Sequence, residues 1–385
     1  MNKPLFLDQT KLTRRLRPIA SRKKASIIVG SGKELWDFSS NDYLGFTDAQ
    51  ELKKAAISVI QEHGIGSGAS RLLSGDYSIF HYLEEKIASL QNKKAGLIFN
   101  AGYQANLGII STLFGRGDVI FADKLIHASI IDGIKLSGAK LFRYSHNDLE
   151  HLEKLLKNNR QKFKEALIVT EAVFSMDGDK APVKALSIIK QKHNCLLMVD
   201  EAHSIGIFGE NGAGLVEEEQ AFDNVDLIFG TFGKALGSFG AWLATSSEIK
   251  NYLINYCRSF IYTTALPPAI VASNIESLNL LQKEPNRRKD LLNKAQLARE
   301  KLANNGYETP SQSQIIPIVL GTKEKADRVA INLQEKGFRI LAINPPTVPE
   351  GGSRIRLTLS YNHPDSVIEE LINTIIDLKL NNNDL

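Results

Sequence analysis

From residue 95 to 245 the sequence repeats one rhythm: short apolar, β-branched runs separated by stretches of helical length. The runs are "AGLIF", "DVIFAD", "KLFRYS", "ALIVTEAVF", "CLLMVDEA", "NVDLIFGT" and "AWLATS". Between them lie "YQANLGIISTLF", "HASIIDGIKLSG", "DLEHLEKLLKNNRQKF" and "VKALSIIKQKH". Strands this apolar are buried on both faces, and helices between them serve as crossovers. The pattern predicts an α/β domain around a largely parallel sheet. From about residue 270 the rhythm changes. Helical "RRKDLLNKAQLAREKLANNG", "KADRVAINLQEKG" and "PDSVIEELINTIIDLKL" alternate with strand-like "QIIPIVLG", "FRILAI" and "RIRLTLS". These predict a smaller α+β domain at the C-terminal end. The expected divisions are an N-terminal segment over 1–45, a large domain over 46–270 and a small domain over 271–385.

A chain of 385 residues is long enough for both domains. Its net charge of +4 is spread among acidic neighbours, so no nucleic-acid surface is expected. The basic run "KLTRRLRPIASRKK" reads as a solvated arm. Cys195 and Cys257 offer neither a disulfide framework nor metal-ligand spacing, so a reducing compartment and no metal are expected. No 18-residue apolar run exists, and "MNKPLFLDQT" is too short and polar for a signal peptide. A cytoplasmic protein without a membrane span is the expectation.

The glycine-rich segments fail the tests for nucleotide loops. "GIGSGASR" has glycines spaced G-x-G-x-G and follows a helical segment rather than a strand. "FGTFGKAL" lacks the earlier glycine of a P-loop and has Ala235 where a magnesium-binding Ser or Thr would stand.

The informative residues sit at strand ends. "LLMVDEAHS" puts Asp200 and His203 where an apolar strand finishes, and "TFGKALGS" puts Lys234 after the next one. Open α/β sheets bind ligands outside the carboxyl ends of their strands, so the three converge on one crevice. The chemistry that wants this set is that of pyridoxal 5'-phosphate (PLP). A lysine forms a Schiff base with its aldehyde, and a carboxylate keeps its pyridine nitrogen protonated. Burial would lower the lysine pKa and favour the free amine. "FNAGYQAN" supplies a phosphate site: a strand, then Gly102, then a helix amino end.

In order along the chain stand "FSSNDYLGF", "GIGSGASRLLSG", "FNAGYQANLG", "DKLIHASIIDG", "EAVFSMDGDKAPV", "VDEAHSIGIFG", "TFGKALGS" and "YTTALPP". With these motifs the sequence resembles the α-oxoamine synthases, fold-type I PLP-dependent transferases that join an amino acid to an acyl thioester with loss of CO2. The resemblance covers about residues 37 to 362. "AINPPTVPEGGSRIRLTLSYNH" is most similar to the branch serving biotin synthesis, which uses L-alanine and pimeloyl-CoA or pimeloyl-ACP. Acyl transfer to glycine, as in glycine C-acetyltransferases, is the alternative within the family.

By position, the resemblance implies that Lys234 is the Schiff-base lysine and that Asp200 pairs with the pyridinium nitrogen. It implies that His127 stacks on the ring, and that Ser175 and His203 hydrogen-bond around its oxygen. Thr231 and the Gly102 and Tyr103 amides would hold the phosphate. Thr264 would reach the phosphate of the other subunit in a homodimer. Arg356 would bind the amino acid carboxylate, with Arg354, on the same strand face, as the substitute. Asn41 and Thr347 would border the substrate, and Arg14 would meet the far carboxylate of the acyl chain. The departures are small: alanine in "GSGAS" and Tyr103 in place of a frequent phenylalanine.

Overall fold

The computed structural model describes residues 16–30 and 32–378. Arg14 and the end of the chain lie outside them. Three strands open the chain: β1 (Ile19–Lys23), β2 (Ser26–Val29) and β3 (Glu34–Asp37). Seven more follow: β4 (Ala95–Phe99), β5 (Val119–Asp123), β6 (Lys140–Tyr144), β7 (Ala166–Glu171), β8 (Leu196–Asp200), β9 (Leu227–Thr231) and β10 (Ala241–Thr245). The last four are β11 (Ile315–Gly321), β12 (Phe338–Arg339), β13 (Ala342–Ile343) and β14 (Ser353–Thr358).

All seven apolar runs of the 95–245 region form one sheet, in the order β4-β10-β9-β8-β7-β5-β6. Its pairs are parallel except that β10 runs antiparallel to both β4 and β9. β4, β5, β7 and β10 are buried along their whole length, which is why they read as continuous apolar runs rather than alternating ones. Two apolar clusters, one built around Phe121, Ile168 and Val199 and the other around Val169, Met198 and Phe229, fill the two faces. Successive residues of a strand point to opposite faces, so β7 and β8 feed both clusters.

The segment "FRILAI" departs from the expected single strand. Its first two residues form β12, which pairs in parallel with β3 (Phe338 with Trp36). Its last two form β13, which pairs with β14 in a sheet ordered β11-β14-β13. A run apolar but for Arg339 gives no sign of a change of sheet partner midway. β1 and β2 escape sequence reading for the opposite reason: every residue of β1 is exposed, so no alternation marks it.

Loops leaving the carboxyl ends of the central strands meet at one edge of the sheet. Helix Gly102–Leu113 starts there after β4, and helix Ala128–Ser137 after β5. The second is capped by its own candidate residue, since His127 Nδ1 accepts the Ser129 N–H at 3.2 Å. Gly237 has φ of +63°, and a Cβ there would fall 2.5 Å from Phe46 backbone, so the turn after Lys234 can seat against residues 46 and 47 only as glycine. No helix among the described residues is long and apolar enough to cross a membrane.

Candidate active site

The strand ends enclose a cavity of about 220 Å³. Gly102, Tyr103, His127, Asp200, His203, Thr231 and Lys234 all line it, so most of the expected cofactor residues are brought together. Asn106, Ser129 and Glu171 join them without having been expected. A larger surface groove of about 790 Å³ lies elsewhere, around Glu210, Glu217 and Arg288, and none of the expected residues lines it.

Lys234 sits at the wall nearest His203, with Nζ 2.8 Å from His203 Nε2. Enclosure brings its ammonium pKa down to about 8, against the pull of Asp200 and Glu171. Roughly a quarter of it is therefore the free amine at pH 7.5. Asp200 is 4% exposed. Its Oδ1 accepts the Ala202 N–H at 2.9 Å, and its Oδ2 faces Asn106 Nδ2 at 3.3 Å. Burial raises its pKa, while Lys234 and these hydrogen bonds act to keep it charged. His203 is buried, and its pKa falls well below the usual imidazole value through desolvation and the Lys234 and Arg356 charges. It is a neutral ring. His127 is also lowered, by burial first.

Glu171 is the residue that sequence reasoning missed. It ends β7 directly opposite Asp200 in the parallel register. Two carboxyl groups side by side in a buried site cannot both stay ionised. Burial, with the Asp200 charge adding to it, pushes Glu171 up to about 8. The nearby Ser175 and His127 backbone N–H groups oppose that rise, and its Oε1 has no partner. The "TEAVF" run reads as strand, and nothing in it separates a functional carboxyl from a surface one.

A pH dependence follows for the cofactor-free protein. Glu171 keeps its proton in the folded state from about pH 4.5 to 8, while the unfolded chain loses it. Stability should fall over that window by at most about 1.4 kcal/mol per pH unit. Lys234 acts oppositely above pH 8, where the folded state sheds its proton first and stability rises toward 10.5. Denaturant titration at pH 5 and 8 should show the falling limb in the wild type and its loss in Glu171→Gln. A constant offset between the two proteins across that range would mean that Glu171 is ionised throughout.

The substrate-side residues stand behind this cavity. Arg356 Nε donates to the Ser175 carbonyl at 2.6 Å, and its Nη1 donates to Thr358 Oγ1 at 2.8 Å and to Asn41 Oδ1 at 3.3 Å. No carboxylate pairs with Arg356 among the described residues. Arg354 differs, since its Nη1 is bound to Asp177 Oδ1 at 2.5 Å. The two arginines share a strand face, but only Arg356 keeps a guanidinium charge without an anionic partner. Ser175 takes part through its backbone. Thr231 Oγ1 donates to the Gly240 carbonyl and accepts the Gly233 N–H. Thr264 is exposed, with its carbonyl accepting from Asn100 Nδ2 at 2.6 Å, and Thr347 is exposed on the loop after Asn344. Neither lines the cavity. Tyr103, half-exposed at the cavity mouth, donates its hydroxyl to Asp132.

These residues fit PLP. An amine and a carboxylate face each other across the space. The first-turn N–H groups of helix Gly102–Leu113 have no acceptor behind them within the helix. The buried Oδ1 of Asn106 and Oε1 of Glu171 are left without partners on the same wall. No group of three or more metal-ligating side chains exists among the described residues.

Residues 33–375 match the family described as aminotransferase class I and II. The 8-amino-7-oxononanoate synthase of Geobacter sulfurreducens is 45% identical over 369 residues, covering 95% of this chain and 94% of that protein. Among solved structures, the serine palmitoyltransferase of S. paucimobilis with PLP–myriocin bound superposes with a TM-score of 0.90 at 28% identity, covering 94% of this chain and 93% of the other. The 8-amino-7-oxononanoate synthase of Francisella tularensis superposes with a TM-score of 0.78 at 33% identity, covering 90% and 98%. The fold and the motif resemblance agree with these matches, and the chain belongs to the class I and II aminotransferases and, within them, to the 8-amino-7-oxononanoate synthase family.

Proposed function

We propose that the protein is a PLP-dependent acyltransferase that condenses L-alanine with a pimeloyl thioester, giving 8-amino-7-oxononanoate, CO2 and the free thiol carrier for biotin synthesis. One observation carries the reading: a lysine amine and a buried aspartate line one cavity, and an arginine without an anionic partner among the described residues stands behind it, in a chain 45% identical to an 8-amino-7-oxononanoate synthase. PLP, when bound, supplies an aldehyde that condenses with amines and a ring that takes up the electron pair released at the amino acid Cα.

The chain's residues divide the remaining work. Asp200 holds a negative charge at the buried end of the cavity, where a protonated ring nitrogen is stabilised. His127 forms one side of the slot and Ala202 borders it. Thr231 and the amides of Gly102 and Tyr103 accept the phosphate. Arg356, backed by Asn41, receives the substrate carboxylate and thereby sets which bond at Cα is broken. Lys234, a free amine after substrate displaces it, takes the Cα proton and later returns one. The buried, neutral His203 offers an N–H to a developing oxygen anion rather than a positive charge.

A homodimer completes the reading. The loops carrying residues 64–75 and 262–266 are joined, with the Ala265 N–H donating to the Ala69 carbonyl. Ile65, Leu73 and Tyr262 on them are more than 70% exposed, an apolar surface that suits a second subunit. Thr264 sits in that surface. Two free, buried cysteines are consistent with a reducing, cytoplasmic setting.

CO2 release by the PLP-loaded protein, measured for alanine, glycine and serine against pimeloyl, acetyl, succinyl and palmitoyl thioesters, tests the reaction. Alanine with pimeloyl thioester is the expected best pair. Glycine with acetyl thioester as the best pair would replace this reading with the sister activity. Arg356→Gln should raise KM for alanine by about 100-fold, the loss of a charged two-pronged hydrogen bond. Arg354→Gln should leave that KM near the wild type and instead cost about 1–2 kcal/mol of stability through the loss of the charge-assisted bond to the partly exposed Asp177. Reversed effects in a paired KM and thermal-melt comparison would exchange the two roles.

A further inference from the structure

Behind Lys234 and His203 lies a group that the reaction scheme above does not use. Tyr43 is completely buried, and its hydroxyl oxygen lies 2.6 Å from His203 Nδ1. Asn41 Oδ1 is the other acceptor nearby, at 3.2 Å. The Arg356 guanidinium and the Gln314 amide also lie near the phenol oxygen, and both act on it as donors do, opposing the rise in its pKa that burial causes. Gln314 is held there because its Nε2 also donates to the His203 carbonyl at 2.9 Å.

The hydrogen inventory decides where the phenol proton goes. Arg356 has donors only, and the Gln314 nitrogen likewise can only give. They take the lone-pair side of the Tyr43 oxygen and leave its one proton for an acceptor. Asn41 Oδ1 already receives Arg356 Nη1 and Nη2, at 3.3 and 3.4 Å. His203 Nδ1 is closer to the phenol and has no other donor among the hydrogen bonds of the described residues. A neutral imidazole that accepts at Nδ1 carries its proton at Nε2. That Nε2–H points at Lys234 Nζ, 2.8 Å away, and needs a lone pair there. A free amine has one and an ammonium does not.

We propose that Tyr43 is a positioning residue for the Lys234 chemistry: its hydroxyl fixes His203 as an Nε2–H donor. Arg356, Tyr43, His203 and Lys234 form one buried chain of polar groups, which links the carboxylate-binding arginine to the lysine amine. His203 in this tautomer holds the amine lone pair while the site waits. Once Lys234 is occupied elsewhere, the same N–H is left aimed into the cavity, ready for an electron-rich oxygen. No proton leaves or enters the chain in either state; only the acceptor of one hydrogen bond changes.

The kinetic part of this inference rests on the proposed reaction, and the structural part does not. The test is nitrogen NMR of protein labelled with 15N-histidine, in the cofactor-free and PLP-loaded forms, with the His203 signals assigned from a His203→Asn spectrum. At pH 9, where Lys234 is mostly the free amine, the cofactor-free wild type should show His203 protonated at Nε2 and bare at Nδ1. Tyr43→Phe keeps the buried ring and removes only the hydroxyl. It should turn His203 into a mixture of tautomers and lower kcat for alanine by about tenfold, the scale of one hydrogen bond. KM for alanine and the PLP content should stay near the wild type. A wild-type His203 protonated at Nδ1 would overturn the proposal without any variant being made. So would a Tyr43→Phe protein with the same tautomer and the same kcat. If the wild type fails to turn over alanine with pimeloyl thioester, the proposed reaction falls, and the tautomer spectra still decide the role of Tyr43.

Discussion

Lys234→Ala is expected to abolish turnover, with a loss of at least about 10⁴-fold, the upper range for a positioned acid–base group. The reason lies in the enclosure of this one amine. With its pKa lowered to about 8, roughly a quarter of it is neutral at pH 7.5, against about a thousandth for an ordinary lysine. No other lysine among the described residues lines the cavity to replace it. Borohydride reduction of the PLP-loaded wild type should fix the cofactor to the peptide containing Lys234, and the alanine variant should take up no label. Release of CO2 at near wild-type rates by that variant would remove Lys234 from the mechanism.

Asp200→Asn should have the second largest effect, about 10²–10³-fold in kcat, as expected for deleting one preorganised charge opposite a developing one. The side chain keeps its shape and its oxygen can still accept the Ala202 N–H, while Asn106 must turn its amide over to accept from the new NH2 group, and the negative charge is lost. The substitution has a consequence that is independent of turnover. The Asp200 charge helps to raise Glu171, so removing it should bring the Glu171 pKa down. The falling limb of the cofactor-free protein should then end at a lower pH and be smaller. A kcat close to the wild type, or an unchanged stability profile, would mean that Asp200 is not the anion of this site.

The sequence made the central sheet and the lysine legible for the same physical reason. Strands buried on both faces leave runs such as "CLLMVDEA" that end abruptly in polar residues, and the polar residue at such an end faces the crevice. Asp200 and Lys234 could be read in this way. Glu171 ends the neighbouring strand, but it is followed by apolar Ala172 and Val173, so no boundary marked it. Tyr43 was hidden in a different way: an aromatic residue in a loop motif looks like packing until the atom facing its hydroxyl is known. The choice between Arg354 and Arg356 could not be made from spacing, because residues two apart share a strand face. The fold adds Asp177, which is 177 positions from Arg354 in the chain yet pairs with it, and this favours the proposed role of Arg356. Long-range partners of this kind also explain β12 and β13, whose division is dictated by β3 on one side and β14 on the other.

The pairing of β3 with β12 also bears on how the chain is made. Trp36 leaves the ribosome about 300 residues before Phe338, its neighbour in the sheet. At 5–20 residues per second, that is a wait of roughly 15–60 s. The parallel strands β5 to β9 can meet their partners in the order of synthesis. The N-terminal hairpin cannot, and its β3 edge stays open until the nascent chain is nearly complete. Unpaired edges recruit other strands. Charged and polar residues along β1, β2 and β3, such as Lys23, Ser26, Glu34 and Asp37, make that open edge a poor template for other strands, and two of them, Ser26 and Asp37, are buried once the sheet is complete.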